Sequence, residues 1–188
     1  MRTLALLALL AAAPAFAADR YDPAPPRDAG ARQDPFRDTA RMPWLGLRLG
    51  GVVGLGSSSG GQPGGGGGGA YVLFDARDFL ADLNGDIFVG DHVRFFALGL
   101  GAYYPFSPGN VTPYLGGGFK VGWTKFGGDG AFGMLPYGAL GVLMGREGFV
   151  QLRAELTYFL ATSRETRPGD PGPGTHANGP MMTLGLGF

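Results

Sequence analysis

Arg153 and Glu155 stand two residues apart in "FVQLRAELTYFL" (149–160), with leucine, alanine and tyrosine around them. Four more charges have similar settings: Arg48 in "WLGLRLGG", Asp82 and Asp86 in "DFLADLNGDIF", and Lys120 in "YLGGGFKVGWT". Three cations and three anions, each flanked by large apolar residues, suit mutual neutralisation inside an apolar body. A buried charge persists only when paired and hydrogen-bonded. The competing reading is six ordinary surface charges on a soluble sheet. Neither reading calls for a cofactor, and none is expected.

Other chemistry fits less well. Asp82, Asn84 and Asp86 begin like a calcium loop, but Gly85 comes too early and Val93 holds the place of the closing Glu. A strand face explains them better. His92 and His176 stand alone, so no metal site is expected. The run Gly64–Gly69 has neither the Lys-Ser/Thr nor the helix of a phosphate cradle. Ser163, Glu165 and His176 share one segment, and some lipid-modifying enzymes use such groups. A triad needs fixed geometry, and the Pro/Gly-rich stretch 161–180 is a poor frame for it. No catalytic residue is assigned, and the chain is not expected to be an enzyme.

The elements that must hold the six charges are strands. At a helical period the apolar residues of 149–160 scatter around the wheel and form no stripe. At a period of two they separate fully: Val150, Leu152, Ala154, Leu156, Tyr158 and Leu160 against Gln151, Arg153, Glu155 and Thr157. The same alternation sets Leu45, Leu47, Leu49 and Val53 against Gly46, Arg48, Gly50 and Val52. It sets Phe96, Leu98, Leu100, Ala102 and Tyr104 against Phe95, Ala97, Gly99, Gly101 and Tyr103. Residues 78–88, 114–124 and 181–188 repeat the pattern, and 70–74 reads as a strand of uncertain length. The segment 134–144 is apolar on both faces, so its facing stays open. "SSSGGQPGGGGGG" reads as a flexible loop. Counting 70–74 and 78–88 separately makes eight strands; merging them makes seven. Eight is preferred, because single-chain membrane barrels have even counts.

Glycine makes up 37 of 188 residues, beside 14 Phe and 7 Tyr, without a collagen period. It lies opposite the large apolar residues. A soluble sandwich would carry polar side chains on that outer face. An eight-stranded barrel instead has an interior that side chains just fill, and glycine relieves its crowding. The fold class expected is therefore all-β: a closed antiparallel up-and-down transmembrane barrel over 44–188. Arg48, Asp82, Asp86, Lys120, Arg153 and Glu155 form its lumen charge network. Arg94 falls on the outer face and belongs at a rim, in reach of lipid phosphates. Trp44, Tyr104, Trp123, Tyr158 and Phe188 are candidates for interfacial girdles.

The N-terminus supports export. Arg2, the apolar run Leu4–Ala13 and Ala15-Phe16-Ala17 read as a cleaved signal peptide over 1–17. Residues 18–43, rich in proline and charge, read as a disordered periplasmic tail. The absence of cysteine rules out disulfides and lipoprotein anchoring. Net charge of zero gives no reason to expect nucleic acid. The longest uncharged run, 95–119, is broken by Pro105, Pro108 and Pro113, so a spanning helix is not expected.

On these residues the chain resembles small outer-membrane β-barrel proteins of the OmpA/OmpX type. The ending "MMTLGLGF" carries the resemblance further, with Leu184, Leu186 and the terminal Phe188 at steps of two. In that class such an ending looks like the signal read by the barrel assembly machinery. The resemblance implies an outer-membrane location, lipid and the assembly machinery as partners, and a monomer. It also implies outer loops at 57–69, 89–92, 124–133 and 161–180, with periplasmic turns at 75–77, 105–112 and 145–148. A structural, membrane-stabilising role with a plugged lumen is the leading expectation. An adhesin or ligand-binding barrel acting through its loops, or a narrow pore, are the alternatives, and a lipid-modifying enzyme ranks below them.

Overall fold

A computed structural model describes residues 43–55, 62–76, 78–166 and 174–188. The segments read as signal peptide and tail, Pro43 excepted, lie outside the described residues. Eight strands follow in order: β1 (Trp44–Val53), β2 (Gly64–Asp75), β3 (Leu80–Val89), β4 (Val93–Pro105), β5 (Val111–Phe126), β6 (Ala131–Met144), β7 (Gln151–Glu165) and β8 (Thr175–Gly187). Each pairs antiparallel with its chain neighbours, and β8 returns to β1 to close the barrel. The closing register runs from Gly46↔Gly187 to Val52↔Met181. Closure leaves no sheet edge, so every strand has a partner on both sides. Residues 70–74 and 78–88 belong to two strands, β2 and β3, which settles the count at eight.

Alternation decides the facing of every strand, because successive side chains point to opposite sides. Leu47, Leu98, Leu100, Leu115, Leu156 and Leu184 are exposed on the outer wall. Arg48, Asp82, Asp86, Lys120, Arg153 and Glu155 are buried. The strand whose facing the sequence left open, β6, turns Leu135, Tyr137, Ala139 and Leu143 inward and Met134 and Leu140 outward.

Several sequence-based boundaries need correction. The glycine run 64–69 is not a loop: it forms the first half of β2, paired with β1 throughout and with β3 from Gly66 onward. Composition suggested flexibility, but ladder bonds on both sides hold these residues. A Cβ on Gly67 or Gly69 would collide with the carbonyls of Ile87 and Gly85, so glycine is what lets the strands close there. The connections at one end are shorter than expected, with strands ending and resuming at Val53 and Gly64, Val89 and Val93, Phe126 and Ala131, and Glu165 and Thr175. At the other end 106–110 is shorter than expected, while 76–79 and 145–150 are slightly longer. β5 and β6 stay paired up to Thr124↔Ala131, and β7 and β8 up to Glu165↔Thr175 after an irregularity between Leu160 and Arg164. The polar, glycine-rich strand ends hid this continuation. In the tight turn after β6, Gly145 takes a left-handed φ of 80°.

Glycine substitutions separate crowded positions from open ones. A Cβ at Gly118 would strike the Leu100 carbonyl, whereas at outward Gly66 the nearest atom, the Gly50 carbonyl oxygen, is 3.9 Å away. Gly118→Ala should cost about 1–3 kcal/mol, as overpacking does. Gly66→Ala should stay within about 0.5 kcal/mol. Urea unfolding in detergent micelles, followed by gel mobility, reads both.

Candidate functional site

The interior is lined by inward positions of all eight strands, and the polar cluster in it draws on seven, β1 to β7. Arg48 on β1 makes a two-pronged contact with Asp86 on β3: Nε donates to Oδ1 at 2.7 Å and Nη2 to Oδ2 at 2.6 Å. Its Nη2 also donates to Asn84 Oδ1 at 3.1 Å, and Nη1 lies 3.6 Å from Glu155 Oε1. Lys120 on β5 donates to the same Asp86. Arg153 on β7 donates to Asp82 Oδ2 at 2.7 Å, Glu155 Oε2 at 2.5 Å and the Tyr114 hydroxyl at 2.8 Å. All six sequence-chosen charges therefore meet in one cluster, three of each sign. Fork-shaped Arg–carboxylate contacts of this kind are among the stronger hydrogen bonds.

Tyrosines complete the cluster. Tyr114 donates to Glu155 at 2.8 Å, and Tyr103 donates to Asp82 Oδ2 at 3.1 Å and lies 3.1 Å from the Tyr137 hydroxyl. Asn84 Nδ2 donates to Asp82 at 2.8 Å. The Arg153 guanidinium lies 5.3, 5.0 and 5.3 Å from the ring centres of Tyr71, Tyr103 and Tyr114, and Lys120 sits 5.1 Å from that of Tyr137. Ring faces attract cations without adding charge, so they help hold Arg153 where water is excluded.

The cluster is sealed at both ends. Toward the longer loops, Phe95 packs against Phe88 and Phe159 at 5.9 and 5.4 Å, and Phe126 stacks on Phe159 at 5.6 Å. Toward the short turns, Arg146 folds back from the 145–150 turn. Its Nε and Nη2 donate to Asp75 at 2.6 and 2.5 Å, and Nη1 donates to the Ser107 carbonyl at 3.0 Å. This contact joins the end of β2 to two different turns.

Sequence reasoning did not assign Asp75, Arg146 or the four tyrosines a part in the interior polar network. Tyr103 lay on the inner face already, and Tyr114 shares the parity of Lys120, so periodicity was signal enough for both. Tyr137 was hidden because β6 is apolar on both sides. Asp75 and Arg146 are 71 residues apart, and nothing local marks their contact.

The remaining candidates are not brought together. Ser163 is partly covered and Glu165 is buried with Oε2 accepting the Phe126 N–H at 2.8 Å. His176 is exposed, beside Arg164 at 3.3 Å. They form no triad. Among the described residues no group of three or more His, Asp or Glu could hold a metal ion. His92 is exposed in the 90–92 turn. Leu184, Leu186 and Phe188 point outward, and Phe188 N–H donates to the Leu45 carbonyl at 2.9 Å, tying the C-terminus to β1.

No protein-family model and no curated protein matches the chain. Solved structures do. Neisserial surface protein A superposes with a TM-score of 0.63 at 16% identity, over 79% of this chain and 97% of that one. The N-terminal β-barrel domain of Pseudomonas aeruginosa OprF superposes with a TM-score of 0.53 at 12% identity, over 79% and 99%. At such identities the likeness is one of fold: the chain is an eight-stranded closed antiparallel barrel resembling small outer-membrane barrel proteins.

Proposed function

We propose that this chain is an integral outer-membrane barrel with a structural, membrane-stabilising role and a lumen plugged by its own paired charges. One observation carries the reading. The outer wall bears exposed leucine, phenylalanine and tryptophan all round, while the charges of the middle are buried and paired inside. In water this inverts the usual arrangement, since monomeric soluble proteins rarely expose such large apolar areas. In hydrocarbon it satisfies both faces, and closure of the ladder gives each strand a hydrogen-bonded neighbour on both sides. The fold likeness to outer-membrane barrels supports this reading. On it, the N-terminal segment is a cleaved export signal, and Leu184, Leu186 and Phe188 serve the assembly machinery. The ends holding 54–63, 90–92, 127–130 and 166–174 face outside.

A pore is the weaker reading, because the Phe88–Phe95–Phe159 cluster and the Asp75–Arg146 contact close the interior at both ends. Planar-bilayer recording tests this. The wild-type barrel should show no resolvable conductance steps, and stable ohmic channels would refute the plug. Cell fractionation with gels of boiled and unboiled samples tests location: the protein should sediment with outer membranes and change mobility on boiling.

A further inference from the structure

Arg94 and Lys125 are direct cross-strand partners on β4 and β5. Alternation turns both outward at the loop end of the barrel; Arg94 is exposed and Lys125 half-buried. Like charges directly opposite destabilise a sheet, so the pair does not serve the fold. No salt bridge involves either among the described residues. Glu165, within electrostatic reach of Lys125, is buried and takes the Phe126 N–H. Two residues further along each strand, toward the middle of the wall, stand Phe96 and Trp123. They are themselves cross-strand partners, and Phe132 on β6 continues the row beside Trp123. All three rings are exposed on the outer wall.

The geometry points to a binding site for a phosphorylated glycolipid of the outer leaflet. Its phosphate would bridge Arg94 and Lys125, and its acyl chains would lie along Phe96, Trp123 and Phe132. The charge complementarity is specific: an anion between the two cations removes their repulsion and adds charge-assisted hydrogen bonds. The aromatic row one step below matches the depth at which such a lipid changes from headgroup to hydrocarbon. The Arg94 guanidinium presents a flat fork to phosphate oxygens, and Lys125 adds a mobile point charge. This site rests on the membrane-barrel reading and gives it a particular lipid partner.

The test uses the full-length mature protein in phosphatidylcholine vesicles doped with a minor fraction of diphosphorylated lipid A. Flotation on a density gradient first reports insertion. Native mass spectrometry then counts lipid A retained after detergent extraction. The wild-type barrel should retain one lipid A, and R94A/K125A should need about thirtyfold more to do so, given what two cations contribute at an anionic surface. R94K/K125R should restore retention, and the boiled–unboiled gel shift of each variant reports its folding. Equal retention by folded R94A/K125A would overturn the site. So would equal retention of dephosphorylated lipid A by the wild type, or displacement of lipid A by inorganic phosphate, which would mark a simple anion site. A wild-type protein that fails to float would overturn the membrane reading itself.

Discussion

Arg153→Met lowers the unfolding free energy by about 3–5 kcal/mol, the cost of leaving buried charges without their partner. Arg153 donates to Asp82 and Glu155 at 2.7 and 2.5 Å and to the Tyr114 hydroxyl at 2.8 Å. Its removal leaves Glu155 with Arg48, 3.6 Å away, as its cation beside the neutral donors Tyr114 and Thr157, and leaves Asp82 with neutral donors from Tyr103 and Asn84. Arg153→Lys keeps the charge, but it loses the fork and the flat stacking surface against three tyrosine rings. Its loss should fall between the parent and Arg153→Met. Removing partner charges together should recover stability, since an absent buried pair costs less than a broken one. R153M/E155Q should therefore be less unstable than the two single losses summed. Urea titration of the micelle-folded protein gives all four corners of that cycle. Additive losses, or a fully stable Arg153→Met, would mean that water reaches this cluster.

Leu98→Arg destabilises by about 2–4 kcal/mol in a bilayer, while Val53→Arg, whose partner across the strand is Gly64, costs only about 0–1 kcal/mol. Both side chains are exposed on the outer wall. Leu98 lies near the middle of β4, and Val53 ends β1 at the rim. If hydrocarbon covers the wall, depth alone separates them, because a charge at mid-bilayer loses its hydration and one at the rim does not. If water covered it, both would be surface substitutions within about 0.5 kcal/mol. Equilibrium unfolding from phosphatidylcholine vesicles reads the difference.

The facing of the clear strands was legible because alternation fixes it: once Leu47 is outside, Arg48 is inside. Facing failed at β6, where both sides of "MLPYGALGVLM" are apolar and the periodic signal vanishes. Strand ends were illegible for a different reason. In Gly64–Gly69 and in 161–166 the sheet continues, but its residues no longer contrast inner with outer. Composition then pointed to loops, while the ladder to neighbouring strands held the backbone extended. The six charges could be chosen from their apolar flanks, but their pairing depends on register. Asp86 meets Arg48 because Gly69, the residue of β2 paired with both, has no side chain to stand between; from the other side Lys120 reaches it across β4, where its own partner is Gly99. Arg146 was out of reach of any local pattern, since a turn residue enters the interior only when the barrel has closed.

The most direct test of a hydrocarbon-covered wall around a self-neutralised interior is a label scan along β4. The chain has no cysteine, so single cysteines can be placed at Arg94, Phe96, Leu98, Leu100, Ala102 and Tyr104 and spin-labelled without background. In vesicles, collision with dissolved oxygen should peak at 98 and 100, and collision with a water-soluble paramagnet should be confined to 94 and 104. Uniform access of the water-soluble reagent along the whole strand would contradict the account.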